Sequence, residues 1–156
     1  MDLAQCCGII VIDPNTQKTI LVTTPNGNHS FPKGGRHRYE TELQCGYREL
    51  QEETGLTMSD VELLLSGVEG NPMDNLITLD ELSRKNKLSV RYYVGYLDKQ
   101  TPHTFTYNKI LFYKEELSKV GWYTLRECIQ FVEDGTLKPN RLYLLEKAYN
   151  LMFAHK

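Results

Sequence analysis

The amino-acid sequence predicts a mixed α/β (α+β) fold. Three observations carry that reading: strand signals stand on both sides of one central amphipathic helix, a glycine stops that helix, and two further helical patterns close the chain. Its 156 residues, 40% hydrophobic and 24% charged, suit one domain spanning residues 1–156 with a single sizeable core.

The elements follow in order. "CCGIIVID" and "TILVTT" read as two strands around a "PNTQK" turn, because β-branched residues flank a Pro-Asn break. "PNGNHS" is a second turn signal, and a "PKGG" loop follows. Leu43, Tyr47 and Leu50 recur at i, i+4 and i+7, which predicts a helix from near Tyr39 to Thr54, capped by Gly55. "VELLLSGVEG" reads as a strand. So does "LSVRYYVGYL", with Leu88, Val90, Tyr92, Val94 and Tyr96 on one face and Arg91 and Tyr93 on the other. Between them, "NPMDNLITLDELSRKNK" is polar and irregular, a surface loop or short helix. "FTYNKILFY" is a further candidate strand. After "VGWYTL" come the helical patterns "LRECIQFVED", stopped by Gly135, and "KPNRLYLLEKAYNLMF", where Pro139 suits a helix entry.

Composition narrows the partners. With a net charge of −2 the chain as a whole does not attract nucleic acid or anionic membrane, so polyanion binding requires a local patch. Cys6, Cys7, Cys45 and Cys128 show neither C-x-x-C spacing nor neighbouring histidines, which argues against zinc and leaves buried, reduced thiols as the expectation. The start "MDLAQCCGIIVID" lacks a basic region and a long apolar run, so no membrane partner is expected, and a cytoplasmic or nuclear setting is.

The chemistry concentrates in "RELQEE". At about 100° per residue, Glu49, Glu52 and Glu53 fall within an arc of roughly 100°, away from the Leu43, Tyr47 and Leu50 stripe. Glu49 and Glu53 are like charges at i, i+4, a cost of about 0.2–0.5 kcal/mol, and all three sit at the negative end of the helix dipole. A solvated acidic helix end is the plain alternative. The glycines that bracket this run favour a site instead: hard divalent cations take oxygen ligands and leave positions for phosphate oxygens.

The segment from Gly34 to Leu56 resembles the Nudix box, G-x5-E-x7-R-E-U-x-E-E-x-G-U with U aliphatic, at Gly34, Glu40, Arg48, Glu49, Leu50, Glu52, Glu53, Gly55 and Leu56. The resemblance implies a mixed sheet sandwiched between helices and a hydrolase of diphosphate bonds that uses Mg²⁺ or Mn²⁺. It assigns Glu49, Glu52, Glu53 and the Gly34 carbonyl to the metal, Arg48 to orienting the glutamates within the catalytic group, and Glu40 to bracing the loop. Metal lowers the pKa of water and neutralises charge on the phosphates. Two positions depart from the family pattern. Gly46 stands mid-helix at a cost of about 1 kcal/mol, which implies close backbone packing there. Gly121 stands before Trp122 where many members carry a glutamate, so the general base is open between Glu49, the first candidate, and Glu115 or Glu116.

Substrate choice lies outside the box. Lys33, Arg36, His37 and Arg38 surround the expected site and are candidate phosphate ligands, with Arg91, and less directly Lys138 and Arg141, as further cations. Tyr93 is a candidate for base stacking, although packing is the commoner role of such a tyrosine. Segments at both ends of the chain resemble diphosphoinositol polyphosphate phosphohydrolases, which also cleave diadenosine polyphosphates; "FPKG" is similar to diadenosine tetraphosphate hydrolases and messenger-RNA decapping members. The expected partner is therefore a dinucleoside polyphosphate or inositol pyrophosphate. Capped RNA, and a non-catalytic nucleotide sensor, are the alternatives.

Overall fold

The computed structural model describes residues 3–67, 70–71, 75–98 and 119–154. The elements run β1 (Cys6–Ile12), β2 (Thr19–Thr23), β3 (His29–Ser30), β4 (Lys33–Gly35), α1 (Glu42–Thr54), β5 (Val61–Leu63), β6 (Thr78–Leu82), β7 (Leu88–Leu97), β8 (Lys119–Tyr123), α2 (Leu125–Glu133) and α3 (Pro139–Phe153). The candidate strand at 105–113 lies outside the described residues.

One mixed sheet organises the fold. β1 and β7 run parallel over their whole pairing, from Cys6 opposite Val90 to Ile12 opposite Tyr96. β5 and β6 pair antiparallel with the other edge of β7, and β8 pairs antiparallel with β2. Side-chain alternation then sends β1 both ways. Ile9 and Val11 meet Leu50 of α1, while Ile10 and Ile12 meet Leu144, Leu145 and Ala148 of α3. A strand covered on both faces reads as the continuous apolar run seen in "GIIVI". The sheet is thus sandwiched between α1 and the α2–α3 pair.

Local chemistry sets the ends of these elements. Asp13 turns β1 into β2 by accepting from Asn15 N at 3.0 Å and Thr16 Oγ1 at 2.7 Å. Thr41 caps α1 through a reciprocal box with Gln44, and Gly55 ends it at φ 82°, a left-handed position that glycine fills without strain. Tyr39 stands ahead of the cap, 88% exposed, so the helix begins three residues later than its apolar spacing suggests.

Two expectations are corrected. The "PKGG" segment is not a loop throughout: Lys33–Gly35 form β4 against Cys6–Gly8. The approach is possible because Gly8 has no Cβ; one placed there would lie 2.4 Å from the Pro32 carbonyl oxygen. The segment 71–87, expected as loop or short helix, contributes β6. Leu79 packs on the core as an apolar inward residue should, but the next inward position is Glu81, 5% exposed, and Leu82 lies 50% exposed past a shift in register with β7. The inward charge is held by Arg141 Nε at 2.9 Å and by the Tyr92 hydroxyl, which donates at 3.2 Å.

Candidate active site

The carboxylate cluster forms where the second half of α1 passes β4. The Lys33 backbone N–H donates to Glu53 Oε1 at 2.8 Å. Glu49 is buried and lies against the bare Cα of Gly34, where a Cβ would come within 2.2 Å of its carboxyl carbon. Glu52 occupies the next turn, half-buried.

Arg48 ties these groups together. Its Nε and Nη2 donate to the two oxygens of Glu40 at 2.6 and 3.0 Å, the bidentate geometry that suits a planar guanidinium. Nη1 reaches Glu49 Oε1 at 2.8 Å and Glu52 Oε1 at 3.1 Å, and Nη2 also reaches the Gly35 carbonyl at 2.7 Å. The hydrogen bonds from Arg48 hold the Glu40 carboxyl down at about 2 against the opposing effect of burial. Glu40 also accepts from His37 N at 3.0 Å, which fixes the loop between β4 and α1.

Oxygen donors from Glu49, Glu52, Glu53 and the Gly34 carbonyl suit a hard divalent cation in kind. Among the described residues no three acidic, histidine or cysteine side chains already converge on one metal position. Arg48 and the Lys33 N–H each occupy an oxygen of these carboxylates: Arg48 on Glu49 and Glu52, Lys33 on Glu53.

Residues 3–146 match the family model described as the NUDIX domain. The chain belongs to the NUDIX family. An RNA pyrophosphohydrolase from Histophilus somni (strain 2336) is 44% identical over 59 residues, 36% of this chain and 30% of that protein. One from Serratia proteamaculans (strain 568) is 44% identical over 61 residues, 38% and 34% of the two chains. These matches span about a third of the length of the curated relatives. A Caenorhabditis elegans Ap4A hydrolase binary complex superposes with a TM-score of 0.67 at 19% identity, covering 97% of this chain and 99% of its own. A NUDIX hydrolase from Nitrosomonas europaea gives 0.62 at 15% identity, covering 96% and 89%. Both likenesses concern the fold.

Within this NUDIX site the expected cations divide. Arg36 is committed to backbone: Nε donates to Ala4 O at 3.3 Å and Nη1 to Glu40 O at 3.1 Å. Arg91 does not join the cluster. Its guanidinium is held by Asp80 at 2.9 and 3.1 Å and by both oxygens of Glu42 at 3.1 Å, at the opposite end of α1 from the glutamates. Arg141 is withdrawn in the same way by Glu81; burial opposes its charge, yet the hydrogen bonds of Glu81 keep the charged form favoured. Lys33 opens β4, and His37 and Arg38 lie on the loop after it, Arg38 stacking over the Tyr39 ring at 5.4 Å. A cleft of about 910 Å³, lined by Tyr39, Tyr47, Gln51, Met58 and Tyr93, runs along α1 with Arg36, Arg38 and Arg48 on its wall.

The neighbours of the departing glycines are now visible. Gly46 packs on β1, where a Cβ would meet the Gly8 carbonyl oxygen and Ile9 at 3.4 Å, in keeping with the close approach its position implied. A Cβ on Gly121 would lie 3.1 Å from the Tyr123 ring, so that phenol takes the space a side chain needs. Glu115 and Glu116 lie outside the described residues. His29, without a role in the sequence, stacks on Phe131 at 3.9 Å and meets Thr23 Oγ1 at 3.0 Å.

One contact escaped sequence reasoning. Cys45 Sγ donates to the Gly34 carbonyl at 3.5 Å and lies 3.9 Å from Arg48 Nη2. Its place three residues before Arg48, hence on the same helix face, was the available signal.

Proposed function

We propose that this chain hydrolyses a diphosphate linkage in a dinucleoside polyphosphate or a diphosphoinositol polyphosphate, with Mg²⁺ or Mn²⁺ as the required cation. The observation that carries the reading is the set Glu49, Glu52 and Glu53 on one face of α1, with Glu49 against Gly34, Glu49 and Glu52 held by Arg48, and Glu53 held by the Lys33 N–H. Family membership supports the reaction class.

In this reading Glu49, Glu52, Glu53 and the Gly34 carbonyl hold the cation. When bound, it activates water and neutralises phosphate charge. Arg48 positions Glu49 and Glu52 while Glu40 fixes Arg48 itself, so the carboxylates are set before substrate arrives, which is where electrostatic catalysis gains most. Glu49, the most buried of the three, is the candidate to take the proton from the attacking water. Lys33, His37 and Arg38 face the phosphate chain; Arg36 and Arg91 serve the scaffold.

A second reading is removal of phosphates from the 5′ end of RNA, capped or uncapped. The names of the relatives at 44% identity favour it. One experiment separates the two. Purified protein with Mg²⁺, and again with Mn²⁺, is given diadenosine tetraphosphate, diphosphoinositol polyphosphate, capped RNA and 5′-triphosphate RNA in one mixture, and products are identified by mass spectrometry. Selective loss of the first or second supports the main reading. Release of m7GDP from the cap or diphosphate from the RNA end favours the second, and survival of every component with both metals would leave a sensor.

A further inference from the structure

The cleft along α1 has an apolar part that the carboxylate chemistry does not use. Its volume of about 910 Å³ suits a small organic ligand. Leu43 and Tyr47 of α1 and Tyr93 of β7 line it, and Leu3, Tyr39 and Met58 stand exposed at its rim. Tyr39 and Met58 are the two most exposed large apolar side chains among the described residues. Singly such residues signify little, but here they border one apolar surface, which marks a ligand or partner site.

Hydrogen bonds fix that surface in place. Glu40, clamped by Arg48, accepts from His37 N and so holds the loop that presents Tyr39. Asp60 accepts from Thr57 N at 2.8 Å and closes the turn that presents Met58. Tyr47 is pinned by its hydroxyl, which donates to the Val61 carbonyl at 3.2 Å. A ligand therefore meets a preformed surface, which lowers the ordering cost of binding.

Charge and hydrogen-bonding capacity narrow the occupant. The carboxylates on the wall, Glu40 and Glu42, are each paired with an arginine, Arg48 and Arg91. Arg36 and Arg38 form no ion pair among the described residues: Arg36 binds backbone carbonyls, and Arg38 lies over one face of the Tyr39 ring. The cleft is apolar and cationic together. Gln51 lines it from the exposed side of α1, and its amide makes no side-chain hydrogen bond among the described residues. An amide offers a donor and an acceptor side by side, the pair that the N6 and N7 edge of adenine takes.

We propose that this cleft is a nucleoside subsite, taking an adenine base stacked on Tyr39, with Gln51 on its N6 and N7 edge and Arg38 on the adjoining phosphate. The inference rests on the hydrolase reading above for its link to turnover, and it narrows that reading to dinucleoside polyphosphates. Arg48 lines the cleft and also holds Glu49 and Glu52, and Gln51 directly precedes Glu52, so phosphates engaged at the carboxylate cluster lead into the cleft. A diphosphoinositol polyphosphate has no aromatic face, and its phosphates would be desolvated against Leu43, Tyr47 and Met58 without a charge partner.

The test measures, by calorimetry with Mg²⁺, the binding of a methylene-bridged, non-hydrolysable diadenosine tetraphosphate and of inorganic tripolyphosphate. Tyr39→Ala removes an exposed ring and is expected to weaken the diadenosine analogue by about fivefold or more, the loss that one base-stacking contact carries. Tyr39→Trp restores it, and tripolyphosphate binding is unchanged in both. Gln51→Leu weakens the analogue by about threefold or more and removes its advantage over the diguanosine counterpart. Tyr143→Ala, at an exposed tyrosine of α3, changes neither ligand. The proposal is overturned if the wild-type protein does not bind the analogue, if Tyr39→Ala or Gln51→Leu leaves its affinity unchanged, or if either variant weakens tripolyphosphate to the same extent. Should the protein hydrolyse nothing, the functional reading fails by itself and these affinities still decide the subsite.

Discussion

Arg141→Leu separates a structural cation from a phosphate-binding one. Arg141 is 8% exposed and Glu81 5%, joined at 2.9 and 3.3 Å, with Tyr92 donating to the same Glu81 oxygen at 3.2 Å. Removing the guanidinium leaves Glu81 charged and buried, a loss of about 3–5 kcal/mol. At about 2–4 °C per kcal/mol for a chain of this size, the melting temperature falls by roughly 6–20 °C. Urea unfolding gives the free energy directly, and turnover per folded molecule stays within twofold of wild type. Glu81→Leu with Arg141→Leu recovers part of the loss, because no charge is stranded. About 1–3 kcal/mol remains, since the Tyr92 hydroxyl loses its acceptor; adding Tyr92→Phe removes that residue of cost. A loss below about 1 kcal/mol in Arg141→Leu, or a tenfold fall in kcat/KM at unchanged stability, would refute the assignment and return Arg141 to the substrate.

Further outcomes follow from the site. Glu53→Gln keeps an oxygen acceptor for the Lys33 N–H and relieves like charge at the helix end, so turnover falls at least a hundredfold while the melting temperature holds or rises; near-wild-type turnover would remove Glu53 from the cation site. Gly34→Ala and Gly35→Ala behave oppositely despite being neighbours: the first forces a methyl to within 2.2 Å of the Glu49 carboxyl carbon and abolishes turnover, the second meets nothing within 4 Å and leaves turnover intact, as side-by-side assays will show. His29 titrates below its ordinary value, first because it is buried and then because Lys119 is near. The unfolded chain therefore binds that proton more readily, stability is fully present above about pH 6.5 and declines as pH falls through the folded value. Comparing melting temperatures at pH 7.5 and 5.5, His29→Gln loses less than wild type; equal losses would show that His29 contributes nothing. Finally, a chelator weakens binding of a non-hydrolysable dinucleoside polyphosphate at least tenfold by calorimetry, and undiminished affinity would separate phosphate recognition from the glutamates.

What the sequence conveyed and what it hid have one physical basis. β1, β7 and α1 were legible because their apolar periods report burial directly, and α1 carries its own cap and stop at Thr41 and Gly55. β6 was hidden because one of its inward residues is a glutamate whose partner lies 60 residues away in α3, so the apolar alternation breaks off after Leu79. β4 was hidden because backbone pairing with Cys6–Gly8, made possible by a bare glycine, leaves almost no side-chain signature. The carboxylate cluster was legible as a helical face. The division of the cations was not: a sequence shows the sign of Arg36 and Arg91 but not the Ala4 carbonyl, Asp80 and Glu42 that hold them.

The acidic end of α1 remains an electrostatic imbalance even after folding. The last turn contains no basic residue, and the Gly55 cap satisfies a carbonyl without adding positive charge. Arg48 is the cation bound to Glu49 and Glu52, yet it is bound in bidentate fashion to Glu40, a fourth carboxylate. Three carboxylates, those of Glu40, Glu49 and Glu52, thus share one guanidinium, with Glu53 one turn on from Glu49. Such a cluster repels a polyphosphate until further positive charge arrives, whereas Lys33 on β4 and His37 and Arg38 on the following loop attract it. On the proposed function, these opposing fields make the cation a condition of productive binding as well as of chemistry. They also give Arg48 its logic: it holds the glutamates together against their repulsion without neutralising them, so the set stays assembled and still electronegative enough to draw a divalent ion.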